Sequence, residues 1–140
     1  MTKLITLLSI SLLLSACSIT KPISDEPLVD RYWRAVEIAG KPVVVTNNRA
    51  EPHVVFDMHQ HTHGSDGCNR FNGEYVTVQG LRFGRLASTR MACAPPVDAE
   101  ARDFTSALSK TVNYRISGRQ IELLDVEDRV LMRLDATSLK

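Results

Sequence analysis

From Tyr32 onward the chain is built of short stretches in which apolar and polar side chains alternate, separated by turn residues. Tyr32–Ala39 (YWRAVEIA) carries Trp33, Val36 and Ile38 in such a stretch and predicts a strand. Gly40-Lys41-Pro42 reads as a turn leading into a β-branched run, Val43–Thr46, and residues 47–52 read as loop. His53–Met58 (HVVFDM) predicts a second strand, with Gln60–Gly64 as its hairpin partner. Asn72-Gly73 is a turn signal, Glu74–Val78 a further strand, and Gln79-Gly80 turns it into Leu81–Leu86. The period changes after Pro95-Pro96. Val97, Ala101, Phe104, Leu108 and Val112 recur at helical spacing, which predicts an amphipathic helix over about residues 97–112. Asp98, Glu100 and Asp103 lie early and Lys110 late, as the helix dipole favours. Asn113–Ser117, Gln120–Leu124 and Arg129–Asp135 are three closing strands, joined by Gly118-Arg119 and Val126-Glu127-Asp128. The fold class is therefore mainly β (a β-rich α+β domain) with about eight short antiparallel strands and one helix. Such a sheet hides its edges by closing into a small barrel or half-barrel.

The N-terminus is of a different kind. Lys3 precedes an uncharged, largely apolar run, Leu4–Leu14, which falls short of the roughly 20 residues a bilayer-spanning helix takes. It reads as a secretory signal. Leu14-Ser15-Ala16-Cys17 resembles the bacterial lipobox, and the resemblance implies cleavage before Cys17 and lipid on that cysteine. Ser18 stands where an aspartate would favour the inner membrane in enteric-type bacteria, so the expected address is the outer membrane, with the domain facing the periplasm. Residues 18–29 (SITKPISDEPLV), polar with two prolines, suit a tether. The expected organisation is signal peptide 1–16, lipidated cysteine and tether 17–29, and a single domain 30–140.

The chain has 17 basic and 16 acidic residues, and loss of Lys3 with the signal leaves 16 of each. That balance argues against a nucleic-acid partner. The membrane, through the anchor, and an envelope protein are the expected partners of a monomeric domain. Three cysteines is an odd count for a secreted chain. With Cys17 carrying lipid, Cys68 and Cys93 remain in an oxidising compartment, where a disulfide between them is the expectation and two buried free thiols the alternative.

Three of the four histidines fall in MHQHTHGSDGC, residues 58–68. On one strand His59, His61 and His63 would share a face. Three imidazoles so placed could bind zinc or copper, with Asp57, Asp66 or His53 as a fourth ligand. The alternative is a solvent-facing strand beside a tight turn, with His59 in the turn and out of the row. Ser65 and Ser88-Thr89 sit in no nucleophile motif, so an enzyme is not expected. Arg70 and Arg90 are candidate anion contacts, or simply solvated or ion-paired side chains.

Several segments together resemble the META domain family, that of the HslJ-like bacterial proteins. They are Trp33 followed by Gly40-Lys41-Pro42; Gly67-Cys68-Asn69-Arg70-Phe71 with Gly73 and Tyr75; Leu86-Ala87 with Thr89-Arg90-Met91-Ala92-Cys93; Phe104 and Leu108; and the closing strands. The resemblance spans about residues 30–135. It implies a compact β-rich domain, often on an envelope lipoprotein, associated with heat and envelope stress and antibiotic tolerance and without established enzymatic chemistry or cofactor. The family assigns the histidines no role. The shared residues have a structural reading of their own: Gly67 and Gly73 with positive φ at turns, Asn69 bonded to its turn, Phe71 and Tyr75 under the sheet, Thr89 as a cap and Met91 filling a gap beside Cys93. The other function classes open to the sequence are a periplasmic metal-binding protein using the histidine face and a small lipoprotein inhibitor of an envelope-targeting hydrolase.

Overall fold

Trp33 is wholly buried, and its neighbours explain the architecture. A computed structural model describes residues 24–44 and 49–137. Cys17 with its lipobox-like stretch and the second half of the β-branched run at 43–46 lie outside the described residues. The elements in chain order are β1 (Tyr32–Ile38), β2 (Lys41–Pro42), β3 (His53–Phe56), β4 (His61–Ser65), β5 (Arg70–Val76), β6 (Arg82–Phe83), β7 (Ala87–Ser88), α1 (Pro95–Lys110), β8 (Asn113–Ser117), β9 (Gln120–Leu124) and β10 (Val130–Thr137). The sheet runs β6-β5-β4-β3-β1-β10-β9-β8, with β2 beside β1 and β7 beside β5. Every pairing is antiparallel.

The eight-strand sheet curls into a nearly closed barrel. At the seam the Leu81 N–H donates to the Val112 carbonyl at 3.2 Å, joining the β5–β6 connection to the start of β8. Helix α1 packs on β1, β6, β9 and β10 and turns Ala101, Phe104, Ala107 and Leu108 inward. Inner-face residues of the strands (Trp33, Val54, Phe56, Phe71, Tyr75, Ile121, Leu123, Met132, Leu134) fill the interior around them. Of the apolar residues that predicted the first strand, Trp33 and Ile38 lie on this face. In β1 the alternation changes phase: the register with β10 shifts between Ala35 and Glu37, so Val36 bulges half-buried while Trp33, Ala35 and Ile38 all reach the core.

Several boundaries differ from the sequence reading, each for a local reason. Lys41-Pro42 pairs with β1, and the turn is made earlier by Ala39 and Gly40, at φ 50° and 74°. Val43 and Val44 are not in a strand. Gln60, at φ 63°, is part of the β3–β4 turn, so the hairpin partner begins at His61. Asn72-Gly73 is no turn but the middle of β5, because the chain already reverses at residues 66–69. Helix α1 starts two residues early. Pro95 and Pro96 occupy its first turn, where no N–H is needed. It ends at Lys110. Thr111 turns extended, its hydroxyl donating to the Ala107 carbonyl, and frees Val112 for the seam.

The end of the predicted tether belongs to the domain. Leu28 and Val29 pack against the core, and the Trp33 indole N–H donates to the Leu28 carbonyl at 2.9 Å. The Glu26 N–H donates to the Gly118 carbonyl, and the Asp30 N–H to the Phe56 carbonyl.

Candidate functional site

The two signature stretches of the sequence meet in space. Asp66, Gly67, Cys68 and Asn69 form the β4–β5 turn, and one buried carboxylate oxygen organises it. Asp66 Oδ1 accepts the N–H groups of Cys68 at 2.8 Å and Asn69 at 2.5 Å. This is aspartate's local turn chemistry. Gly67 sits at φ 91°, and a Cβ there would come within 2.5 Å of Arg49 Nη2, so both backbone and space call for glycine. Asn69 then reaches across to the segment after β7. Its Oδ1 accepts the Thr89 hydroxyl at 3.1 Å and the Met91 N–H at 2.7 Å. The Thr89 hydroxyl in turn accepts the Arg70 N–H at 3.1 Å. Cys68 and Cys93 are joined in a disulfide with Cα atoms 6.1 Å apart. Arg49 ties this junction to α1 through Glu100 at 2.5 Å.

Other signature residues differ from expectation. Gly73 has no positive φ; it is glycine because a Cβ in mid-strand would meet the Arg85 carbonyl at 2.6 Å and Leu86 Cδ2 at 2.7 Å. Met91 is 64% exposed and fills no gap; the junction uses its backbone. Phe71 and Tyr75 are buried under the sheet, and the Tyr75 hydroxyl donates to the Asp57 carbonyl at 2.6 Å. Burial raises the Tyr75 phenol above its ordinary range. Arg70 and Arg90 are exposed.

The histidines separate. His59 lies in the β3–β4 turn, while His61 and His63 stand on the outer face of β4. The three do not form one row. Asp57 shapes the turn: its Oδ1 accepts the His59 and His61 N–H groups at 2.8 and 2.9 Å. The His61 N–H bond is the main cause that holds this carboxyl below its ordinary range; burial opposes it, and the His59 N–H bond and both imidazoles add to the lowering. His53 is on β3, stacked on Tyr32 at 4.2 Å, its Nδ1 bonded to the Glu51 carbonyl at 2.8 Å. Asp66 is committed to its turn. Among the described residues no three histidine, cysteine, aspartate or glutamate side chains are grouped to hold a metal ion.

His61 and His63 instead line an open groove of about 590 Å³ on the outer face, with Asn72, Glu74, Arg85 and Ala87. Register places His61 opposite Glu74 and His63 opposite Asn72. The sequence reading missed Asn72, Glu74 and Arg85 because their proximity to the histidines arises from strand pairing. A second groove, of about 560 Å³, lies between α1 and the signature junction. It is lined by Asn69, Thr89, Arg90, Arg102, Thr105 and Ser109 among others. Both grooves are open, with polar and charged groups set on a lining that is more apolar than polar, and suit an extended partner.

The profile of the META domain family matches residues 26–138. No curated protein matches the chain. Two protein structures solved by NMR are similar to it. One, from Burkholderia xenovorans, is 25% identical with a TM-score of 0.66, over 80% of this chain and 85% of that one. The other is 26% identical with a TM-score of 0.59, over 77% of this chain and 88% of that one.

Proposed function

The chain belongs to the META domain family, and from that premise we propose that it is a non-enzymatic, lipid-anchored domain of the bacterial envelope. It sits on the outer membrane through Cys17, faces the periplasm as a monomer, and supports heat and envelope stress tolerance and antibiotic tolerance by binding another envelope component. One observation carries this reading. The short polar side chains of the signature stretches are engaged inside the domain: Asp66 and Asn69 accept backbone N–H groups, Thr89 bridges Asn69 and Arg70, and the two cysteines bond each other. A junction used this way is a staple that fixes the barrel. Function then falls to the polar surface beside it, where the His61–Arg85 groove offers donors and acceptors to a partner.

The test is complementation of a strain lacking the gene, challenged with heat and with antibiotics, alongside labelled palmitate incorporation. The full chain restores survival and takes up label. Cys17→Ser takes up none and restores less. His63→Ala combined with Asn72→Ala, both on the surface, keeps the fold by circular dichroism but lowers survival. A strain whose survival does not depend on the gene sinks the stress role, and unlabelled wild-type protein sinks the anchor.

A further inference from the structure

Arginines in this domain mostly find carboxylates. Arg31 pairs with Glu26, Arg49 with Glu100, Arg129 with Asp125, and Arg133 with Glu37 and Glu122. Arg70, Arg82, Arg85 and Arg90 pair with none among the described residues, and all four are exposed. They fall in one stretch, residues 67–97, whose single acid is Glu74. From Tyr75 to Val97 there is no acid at all.

The same stretch exposes apolar side chains where a sheet protein would place polar ones. Val78, at the tip of the β5–β6 hairpin, is 77% exposed, and Val76 is 44% exposed opposite Arg82. Met58, 70% exposed, is on the adjacent β3–β4 turn, which the Tyr75 N–H joins through the Gln60 carbonyl at 2.9 Å. The acid on that turn, Asp57, is held by its own backbone bonds. A hairpin with outward valines and unpaired arginines has the composition of a membrane-surface element.

The chain meets the barrel at the β8–β9 turn, where Asp25 accepts the Gly118 N–H and the Glu26 N–H donates to the Gly118 carbonyl, and then runs to the side of this hairpin. Asp30 bonds the backbone of Phe56, whose ring lies 4.9 Å from Tyr75 and 5.7 Å from Phe83, the inward residues of β5 and β6. The seven steps from Cys17 to Ser24 extend at most about 25 Å. A lipid on Cys17 would therefore keep the β8–β9 turn within that reach of the bilayer, and the rest of the barrel near enough for even weak contacts to become effective.

We propose that the β5–β6 hairpin is a second membrane contact, seating Val76 and Val78 at the headgroup level of an anionic phospholipid bilayer while Arg82, opposite Val76, pairs with lipid phosphate. The inference rests on the lipid anchor proposed above. Docking would fix the orientation of the barrel at the membrane.

The test uses the mature protein, purified from the envelope after expression of the full chain, on vesicles of phosphatidylethanolamine and phosphatidylglycerol containing brominated lipid. Val78→Trp places a reporter on the hairpin. Val126→Trp places one on the β9–β10 turn, where the native side chain is 81% exposed. Buried Trp33 supplies the background in unsubstituted protein. Docking quenches the Val78→Trp reporter and spares the Val126→Trp reporter. The selectivity fades with added salt or on phosphatidylcholine alone. Replacing Arg82 with alanine lowers the docked-to-undocked ratio roughly five-fold. Equal quenching at the two sites, or none at Val78→Trp in lipidated protein, overturns the proposal. Mass spectrometry of the same sample reads the anchor separately. If Cys17 carries no lipid the anchor fails, and selective quenching on added vesicles would keep the hairpin contact while its absence would overturn that too.

Discussion

His53 shows how a polar residue becomes part of a β domain. Its ring stacks on Tyr32, and its Nδ1–H is directed at the Glu51 carbonyl. Burial is the larger influence and pushes its pKa below the ordinary value of 6.5; Glu51 opposes and His63 adds to the shift. The unfolded chain then binds a proton more readily than the folded one. Stability contributed by neutral His53 is present above 6.5 and is lost as the pH falls from there toward the depressed folded value. Urea midpoints of the wild type are expected to drop on crossing this window from above. His53→Gln, though less stable overall, should lose much of that slope. An unchanged slope would place the titration elsewhere. Asp57, also depressed, follows the carboxylate rule: its contribution is present above the unfolded value of 3.8 and is lost as pH falls through the lower folded one, so its effect is separated in pH from that of His53.

At the scale of the element, α1 is a plug for the barrel. Its polar face carries the Arg102–Asp98 pair, and its apolar face delivers Phe104, fully buried and 5.8 Å from Phe71 on β5. Truncating a buried phenylalanine removes transfer energy and leaves a cavity, a loss of about 3–5 kcal/mol. Phe104→Ala is therefore expected to lower the urea midpoint sharply, whereas Ser109→Ala on the groove side should leave it nearly unchanged. A small effect of Phe104→Ala would mean that the barrel packs without the helix. The disulfide works on a different element pair, pinning the β4–β5 turn to the segment that leads into α1. Closing a loop of sequence separation 25 contributes about 3.5 kcal/mol in the chain-entropy picture.

At the scale of the molecule, the domain begins before its first strand. The Leu28 carbonyl accepts the indole N–H of fully buried Trp33, and Leu28 and Val29 cover core side chains. Removing residues 18–30 orphans that N–H, a cost of about 1–3 kcal/mol for the polar group alone, with lost apolar burial added to it. Removing only 18–23 leaves every one of these contacts. Thermal melts of the two truncations should separate clearly, and coincident melts would show that residues 24–30 are a passive leader. This docking also sets where an anchor at Cys17 delivers the barrel to a membrane, which links the fold to the orientation proposed for it.

Periodicity by itself determined the strand-rich class, the single amphipathic helix with Ala101, Phe104 and Leu108 inward, and the closing strands, because each is set by side-chain spacing within one segment. The signature stretches stood out through their resemblance to the META family, and the pairing of Cys68 with Cys93 followed from the oxidising compartment expected for the chain. The missing part was cross-strand. Asn72-Gly73 has the local chemistry of a turn, yet Asp66 had already reversed the chain, and the absent Cβ of Gly73 serves the passage of Arg85 and Leu86 instead. His59 left the histidine row because Asp57 fixed it in a turn. The groove of His61, His63, Asn72, Glu74 and Arg85 comes from register between strands, and the seam at Leu81 and Val112 from closure of the whole sheet. Spacing along the chain carries information about one face of one element. Which faces meet is decided by the pairing of distant segments, and for this protein that decision belongs to the tertiary structure.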